Sequence, residues 1–201
     1  MFGMRMKWLL AAKLVVVIMA FSGFVYADDV TDSISEAMDA YKDGEYTEAV
    51  ESLNYASQLI QQKKGEGLTS FLPKPLSGWT AKNPESQAMG AAMFGGGVTA
   101  ERRYTKDKSR VDVRIITDSP MMQGVMMMFS NPMFASSDGG KLGKIKRQKA
   151  IVKYDESKGK GEIKIVIANR FLVMVEGNKV TKDDLTDYAK AINYKKLKSL
   201  P

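Results

Sequence analysis

Two residue types that carry much of enzyme chemistry, histidine and cysteine, do not occur in this chain of 201 residues. The absence of histidine excludes Ser-His-Asp triads, imidazole proton shuttles and histidine metal sites. The absence of cysteine excludes thiol nucleophiles, zinc–thiolate sites, disulfides and acyl-cysteine anchors. Because few enzyme classes survive both absences, we expect a protein that is not an enzyme and that needs no cofactor.

Acidic residues are also missing from the first 27 residues, where all the charges are positive. Basic residues precede an apolar run from 14 to 21, and residues 25–27 are compact, as before a cleavage point. This pattern predicts a secretory signal peptide, which takes no part in the fold. A membrane anchor is the alternative, but spanning needs about 20 apolar residues and Lys13 shortens the run. We therefore expect a periplasmic protein, cleaved after Ala27.

The rest of the chain has the composition of a globular protein, since 44% of all residues are apolar and 26% are charged. Residues 28–66 are predicted to form an acidic helical hairpin, and residues 67–201 a basic α+β domain. Residues 28–64 hold nine acids and three bases, whereas residues 65–201 hold 24 bases and 14 acids. Such asymmetry indicates either internal complementarity or a surface for a partner.

Apolar residues recur at helical spacing in two stretches on either side of Asp43-Gly44-Glu45. The two stripes consist of Ile34, Ala37, Met38 and Tyr41, and of Ala49, Val50, Leu53, Ala56 and Ile60. Two helices joined by a short glycine turn form an antiparallel hairpin. We expect the second helix to end at Gly65-Glu66-Gly67, because glycine commonly terminates helices.

The order Gly44-Glu45-Tyr46-Thr47-Glu48-Ala49, followed by Leu53 and Ala56, resembles one tetratricopeptide repeat. The resemblance implies a tight glycine turn, close approach of the helices at alanine, and Tyr46 packed between them. It covers a single copy, whereas a solenoid of such repeats needs about three. Two interpretations stay open: Tyr46 and Leu53 contact a partner protein, or the hairpin docks on its own domain.

Alternating apolar and polar residues predict strands in the second part of the chain. The predicted strands are 98–104, 111–115, 150–154, 163–167 and 171–175, the last two joined by a turn at Asn169-Arg170. Thr181 and Asp184 then predict a capped helix start, and apolar residues at helical spacing continue to Ile192. The predicted fold class is α+β: an N-terminal helical hairpin, then an antiparallel sheet covered by helices, including a C-terminal helix.

The segment Leu72-Pro73-Lys74-Pro75-Leu76-Ser77-Gly78-Trp79, the glycine-rich stretch 90–97 and the closing helix resemble a group of uncharacterised exported bacterial proteins. The likeness spans most of residues 40–200. It implies export and an α+β fold, and it brings no activity with it.

Six of the 14 methionines lie between Ser119 and Phe134, and five of them are on a helix predicted to begin at Pro120 and to end at Pro132. One reading is core packing by a face with Met122, Val125, Met126 and Phe129. Another is a pliable apolar surface or groove for a lipid, an acyl chain or a partner helix. A third is Cu(I) binding by thioethers. The candidate ligand- or partner-binding methionines are Met121, Met122, Met126, Met127 and Met128.

Residues 141–160 carry eight bases and two acids. Lysines protect a solvated sheet edge from pairing, or they contact an anionic surface. The candidate anion- or membrane-surface residues are Lys144, Lys146, Arg147 and Lys149. No aromatic residues interleave with them as in nucleic-acid-binding surfaces, so we expect no nucleic-acid partner. Carboxylate-pair catalysis would need some of Asp112, Asp118, Glu162 and Glu176 to converge, and their spacing does not predict it.

The leading hypothesis from the sequence is therefore a non-enzymatic periplasmic binding or scaffold protein with a protein partner in the cell envelope. The alternative is a carrier of an apolar ligand that uses the methionine-rich helix, and Cu(I) binding comes third. An anionic lipid surface is the further partner that the basic stretch suggests.

Overall fold

The structure of the chain is a computed structural model that describes residues 28–88, 97–131, 133, 136 and 139–200. The predicted signal peptide, residues 1–27, lies outside the described residues. Contacts divide the chain into two units, Met1–Leu53 and Asn54–Pro201, and each is considered on its own.

Helices bracket the sheet in the order of the chain. The helices are α1 (Asp29–Asp43), α2 (Tyr46–Thr69), α3 (Met121–Ser130), α4 (Lys182–Ala191) and α5 (Tyr194–Lys198). The strands are β1 (Thr80–Ala81), β2 (Glu85–Ala88), β3 (Val98–Lys106), β4 (Ser109–Thr117), β5 (Lys141–Ile145), β6 (Gln148–Asp155), β7 (Lys160–Ile167) and β8 (Phe171–Asn178). The fold class predicted from the sequence is confirmed.

The first unit contains α1 and the beginning of α2, joined by the predicted glycine turn. Asp28 caps α1 by accepting a hydrogen bond from the Val30 N–H, and Gly44 ends it in the left-handed conformation, with φ of 81°. A left-handed residue at this point favours glycine, which has no Cβ to clash. The buried residues of this unit are small and occur at helical spacing on both helices: Ser33, Ala37, Ala40, Ala49 and Ser52. Small side chains allow close approach of the two helix axes.

Helix α2 does not end at Gly65-Glu66-Gly67, as the sequence predicted, but continues to Thr69. A Cβ on Gly65 would lie 3.0 Å from the Ser86 Cβ and 3.1 Å from a Val98 methyl group. The glycine therefore serves close packing between the helix and the start of the sheet. Glycine within a helix costs about 1 kcal/mol of stability relative to alanine. The close contact with the sheet requires glycine here in spite of that cost.

The eight strands of the described residues form one antiparallel sheet in the order β1-β3-β4-β8-β7-β6-β5, and β2 also pairs with β3. The strands predicted from alternation are confirmed, and β1, β2 and β5 are additional. β4 pairs with β8 through registers such as Val113 with Val175, so the two halves of the sheet join at β8. We call the end of the sheet where β5 turns into β6 the upper end; β4 and β7 also finish there.

One face of the sheet, the packed face, carries the main core. Thr181 caps α4 in a capping box with Asp184, as the sequence predicted. Leu185, Tyr188 and Ile192 then lie fully buried against the sheet. Strand glycines make this possible, since a Cβ on Gly161 would lie 2.8 Å from a Leu185 methyl group.

Three tyrosines lie in this core with their hydroxyls satisfied. The Tyr104 hydroxyl donates to the Pro73 carbonyl at 2.6 Å, and the Tyr194 hydroxyl donates to the Ala189 carbonyl. The Tyr188 ring packs against those of Trp79 and Tyr104, with centroids 5.3 Å and 4.4 Å away, and its hydroxyl accepts from the Leu76 N–H at 3.4 Å. Burial raises the pKa of Tyr188 to about 12, and it raises the pKa values of Tyr104 and Tyr194 in the same direction.

The other face, the open face, is divided into two parts. At the upper end α3 lies on Ile116, Leu172 and Met174, and Met122 and Val125 complete a small second core there. At the lower end charged residues cover the strands, and no helix of the described chain packs over them. The apolar and the charged parts are continuous along the same strands.

Candidate functional site

The hairpin exposes its large apolar side chains while it buries its small ones. Tyr46 is 64% exposed and Leu53 is 53% exposed, so both predicted contact residues are on the surface. The other large apolar residues that the first unit exposes are Ile34, Met38, Tyr41 and Val50. On each helix the three exposed residues are spaced i, i+4 and i+7, and therefore form one stripe.

The two stripes lie on the same side of the hairpin. Each is turned by about 100° from the buried stripe of its own helix, as a shift of one residue requires. In an antiparallel pair these rotations bring both stripes to one side, and the Tyr41 and Tyr46 rings meet there with centroids 5.7 Å apart. We call these six residues, Ile34 to Leu53, the apolar face of the hairpin. Tyr46 does not pack between the helices, because the seam of small residues is too narrow for its ring.

Acidic residues occupy the remaining surface of the same unit, which holds nine acids and one base between residues 28 and 53. A hydrogen bond with Glu45, and then the negative charges of Glu45, Glu36 and Glu51, raise the pKa of Glu48 above its ordinary value. This repulsion indicates a surface that favours a positively charged neighbour.

The methionines of α3 divide between core and surface. Met122 is buried, Met126 and Met128 are half-buried, and Met121 and Met127 are 50% and 61% exposed. The core interpretation therefore holds for the face with Met122, whereas the exposed pair remains available for contact. Cu(I) binding by Met122 and Met126 stays a prediction.

Three of the four acidic residues named from the sequence converge on the lower part of the open face. Asp112 lies directly opposite Glu176, and Glu176 directly opposite Glu162, on the neighbouring strands β4, β8 and β7. A groove of about 670 Å³ runs over them. Asp118 is elsewhere, at the end of β4, in an ion pair with Lys64. The sequence could not predict this convergence, because it depends on the register between distant strands.

Each of the three carboxylates is neutralised by a cation. Asp112, whose side chain is 6% exposed, accepts from the Arg103 Nε at 2.6 Å and the Arg110 Nε at 3.1 Å. The hydrogen bond to Asp112 raises the pKa of Arg103. The remaining pairs are Arg114 with Glu176 and Lys164 with Glu162.

These ion pairs indicate that the three carboxylates help to hold the strands of the sheet together. Like charges directly opposite on adjacent strands repel, and the surrounding arginines and lysines offset that repulsion. Burial lowers the pKa of Arg114, but its hydrogen bond to Glu101 and the charge of Glu176 outweigh this and raise it. In the described part of the chain no group of three acidic residues is placed to hold a metal ion.

The predicted basic residues surround the two-residue turn between β5 and β6. Lys146 and Arg147 form the turn, with φ of 44° and 66°, and Lys144 lies directly opposite Lys149 on the two strands. All four side chains are exposed. None of them has an ion-pair partner among the residues that the structure describes.

Three further basic residues, which were not predicted from the sequence, lie beside this turn. Helix α5 buries Tyr194 and Leu197 and exposes Lys195, Lys196 and Lys198. A groove of about 500 Å³ is lined by Lys146 of the turn together with Lys195 and Lys198. The run Lys-Lys-Leu-Lys at 195–198 is visible in the sequence as a group of basic residues. The short α5 follows α4 so closely that periodicity does not separate the two helices.

Within the described residues, every helix is too short or too polar to cross a bilayer. Comparisons of this chain with protein families, with curated proteins and with solved structures found no match.

Proposed function

We propose that this chain is a non-enzymatic binding protein of the cell envelope and that the apolar face of its hairpin is the surface that contacts a protein partner. The observation that carries the proposal is the inverted burial of the hairpin, with alanine and serine inside and six large apolar residues outside. Exposed apolar patches of this kind mark sites of protein–protein contact.

The partner that fits this surface is an amphipathic segment with apolar residues and a basic flank. The apolar face offers two tyrosines and a methionine, residue types that are favoured or adaptable at interfaces. The excess of acids in the same unit favours a cationic neighbour and steers it at short range. Export, which the first 27 residues predict, would place that partner in the envelope.

Site-resolved crosslinking in the producing cells tests the proposal. A photoreactive residue at Val50 or Met38 is expected to trap one defined partner, whereas the same residue at Asp39, on the acidic side, is not. Tyr46→Glu is expected to reduce capture from Val50 by about tenfold or more, because a central interface tyrosine contributes about 2 kcal/mol. Asp39→Asn serves as the matched control on the same helix pair.

Capture that is equal from Val50 and Asp39, or that survives Tyr46→Glu unchanged, would overturn the proposal. The circular dichroism of each variant confirms that the hairpin still folds. Turnover of a substrate by the purified chain would remove the non-enzymatic part.

The second candidate function is transport of an apolar ligand beneath α3. The adaptable and exposed Met121 and Met127 favour it. Met122 and Val125 fill the space between α3 and the sheet, so a ligand would have to displace them. Denaturing mass spectrometry of freshly purified chain is expected to release a lipid under this hypothesis, and a spectrum of the protein alone counts against it.

A further inference from the structure

Seven exposed basic residues gather at the upper end of the sheet. We call them the basic end: Lys144, Lys146, Arg147, Lys149, Lys195, Lys196 and Lys198. The strands β5 and β6 and the turn between them contribute four, and α5 contributes three. The shared groove with Lys146 and Lys198 places α5 beside the turn. The Arg170 Nη1, which donates to the Leu200 carbonyl at 3.1 Å, fixes the chain end there as well.

Protection of the sheet edge does not account for the basic end. β5 is the last strand in the sheet, and a lysine such as Lys144 on it discourages pairing with another chain. Lys149 lies on β6, which is paired on both sides, and Lys195 lies on a helix. These positions offer no edge to protect.

The arrangement of these residues also lowers the local stability of the β5–β6 hairpin. A two-residue turn with positive φ at both positions favours Asn-Gly, and here it holds Lys146 and Arg147. Lys144 and Lys149 are directly opposite each other, which is a repulsive pairing. The turn at Ala168-Asn169 also has positive φ at both positions. The repulsive pair of lysines, and not the turn conformation alone, therefore indicates a demand other than stability at this place.

The distribution of the cations indicates what they meet. They belong to the β5–β6 hairpin and to α5 and are spread over the strands, the turn and the helix, instead of converging on one point as around a single small anion. No acidic residue lines the groove. Such spread positive charge matches the spread negative charge of a lipid headgroup layer.

An apolar component lies at the same end. Helix α3 covers the upper rows of the open face, at Ile116 and Leu172, and exposes Met121 and Met127. Apolar side chains beside a group of lysines are typical of proteins that bind at the boundary between headgroups and acyl chains. The geometry therefore combines the two contributions that stable peripheral binding requires.

We infer that the basic end rests on an anionic lipid bilayer, with its lysines and Arg147 against the headgroup phosphates and Met121 and Met127 at the acyl boundary. This surface consists of residues of the second unit, whereas the apolar face of the hairpin consists of residues of the first. A peripheral attachment of this kind would hold the chain at a membrane while the hairpin binds its partner.

Vesicle flotation with the full chain tests the inference. The vesicles contain phosphatidylglycerol mixed with phosphatidylcholine, or phosphatidylcholine alone. The test variant changes Lys146, Arg147, Lys195 and Lys198 to Gln, and the control variant changes Lys108, Lys158, Lys179 and Lys182, at the lower end, to Gln. Both variants lose four positive charges and keep residues 1–27, so any contribution of those residues is the same in each.

The test variant is expected to bind anionic vesicles at least about tenfold more weakly than the control variant, because each basic residue near such a surface contributes about fivefold. Met121→Gln with Met127→Gln is expected to lower the binding that remains at high salt. Val50→Gln with Leu53→Gln, on the hairpin, is expected to leave vesicle binding unchanged, which separates this inference from the proposed function.

An equal loss of vesicle binding in the test variant and the control variant would overturn the inference. So would equal binding of the unchanged chain to both kinds of vesicle. Inorganic phosphate that competes as effectively as the vesicles would assign the basic end to a free anion instead. Crosslinking of the basic end to an acidic protein, with no vesicle binding, would likewise reject a lipid surface.

Discussion

Asp112 lies almost fully buried on the lower part of the open face, between Arg103 and Arg110. Burying a carboxylate is costly unless hydrogen bonds and opposite charges replace its hydration. Two guanidinium groups supply both here, and they stay partly exposed. The consequence is a charged row that joins β3 to β4 and limits repulsion from Glu176 on β8.

Replacement of Asp112 by Ala is expected to destabilise the fold by about 1–3 kcal/mol, since both arginines lose their acceptor but regain some water. Urea unfolding at neutral pH measures the change. Asp187→Asn, in an exposed pair with Lys190, is the control and should change stability by less than about 1 kcal/mol. Equal effects of the two substitutions would refute the cohesive role of Asp112.

Tyr188 gives the fold a pH dependence on the alkaline side. Burial raises its pKa to about 12, from an ordinary value of about 10. Since the folded state favours the protonated hydroxyl, this contribution to stability is complete below about pH 10 and is lost as the pH rises through about 12. Tyr104 and Tyr194 act in the same direction.

The free energy of unfolding is therefore expected to fall steeply between about pH 10 and pH 12. Urea titrations at a series of pH values measure it. Tyr188→Phe should make the fall shallower, because one of the buried phenols no longer ionises. A stability that does not change across this range would contradict the assignment of these tyrosines to the core.

At the scale of elements, α3 is amphipathic in an unusual way, since methionine appears on both its buried and its exposed sides. The side on the sheet belongs to a core made from Ile116, Leu172 and Met174. The other side carries Met127, whose side chain is exposed to solvent. One helix therefore contributes to folding and offers a pliable surface.

Met122→Ala is expected to cost about 2–4 kcal/mol, because it leaves a cavity between α3 and the sheet. Met127→Ala, its partner on the exposed side, is expected to change stability by less than about 0.5 kcal/mol. Thermal or urea unfolding of the two variants makes the comparison. If both were neutral, α3 would not be part of a core.

A substitution in the turn between β5 and β6 is expected to raise the stability of the fold and at the same time to weaken binding to anionic vesicles. Lys146→Asn combined with Arg147→Gly is expected to raise stability by roughly 1–2 kcal/mol, because these residues prefer the left-handed conformation. The same change is expected to weaken binding to anionic vesicles. Unfolding and flotation are measured on one preparation.

A matched control exists at the neighbouring turn, where Asn169 also has a positive φ, of 54°. Asn169→Gly should preserve stability and leave vesicle binding as it is. Loss of binding in this control would show that any change at the upper end disturbs the surface, and that the charge of Lys146 and Arg147 is not the cause.

At the scale of the whole molecule, the sequence predicted those features that depend on local pattern. Alternation along β4 and β7 predicted strands because each has one apolar side. The cap of α4 was readable because its two residues, Thr181 and Asp184, are only three apart. The edge strand β5 was missed because all but its last residue are exposed, so burial leaves no alternation in it.

The surfaces on which the two proposals rest were not predictable in this way. Ala37 and Met38 are adjacent in one apolar stripe, and the sequence does not indicate that the helix seam buries the first and exposes the second. Likewise Lys146 and Lys198 are far apart in the chain and meet only because α4 carries α5 to the upper end. Surfaces assembled from distant segments require the tertiary structure.

In chain order β8 follows β5, β6 and β7, yet in the sheet it lies between β4 and β7. Without β8 the other strands can form only two separate ribbons, one of β1 to β4 and one of β5 to β7, each with an uncovered apolar side. The two ribbons become one water-excluding layer only when β8 inserts between them. We therefore expect the sheet to form cooperatively, with the pairing of β8 as the step that unites its two parts.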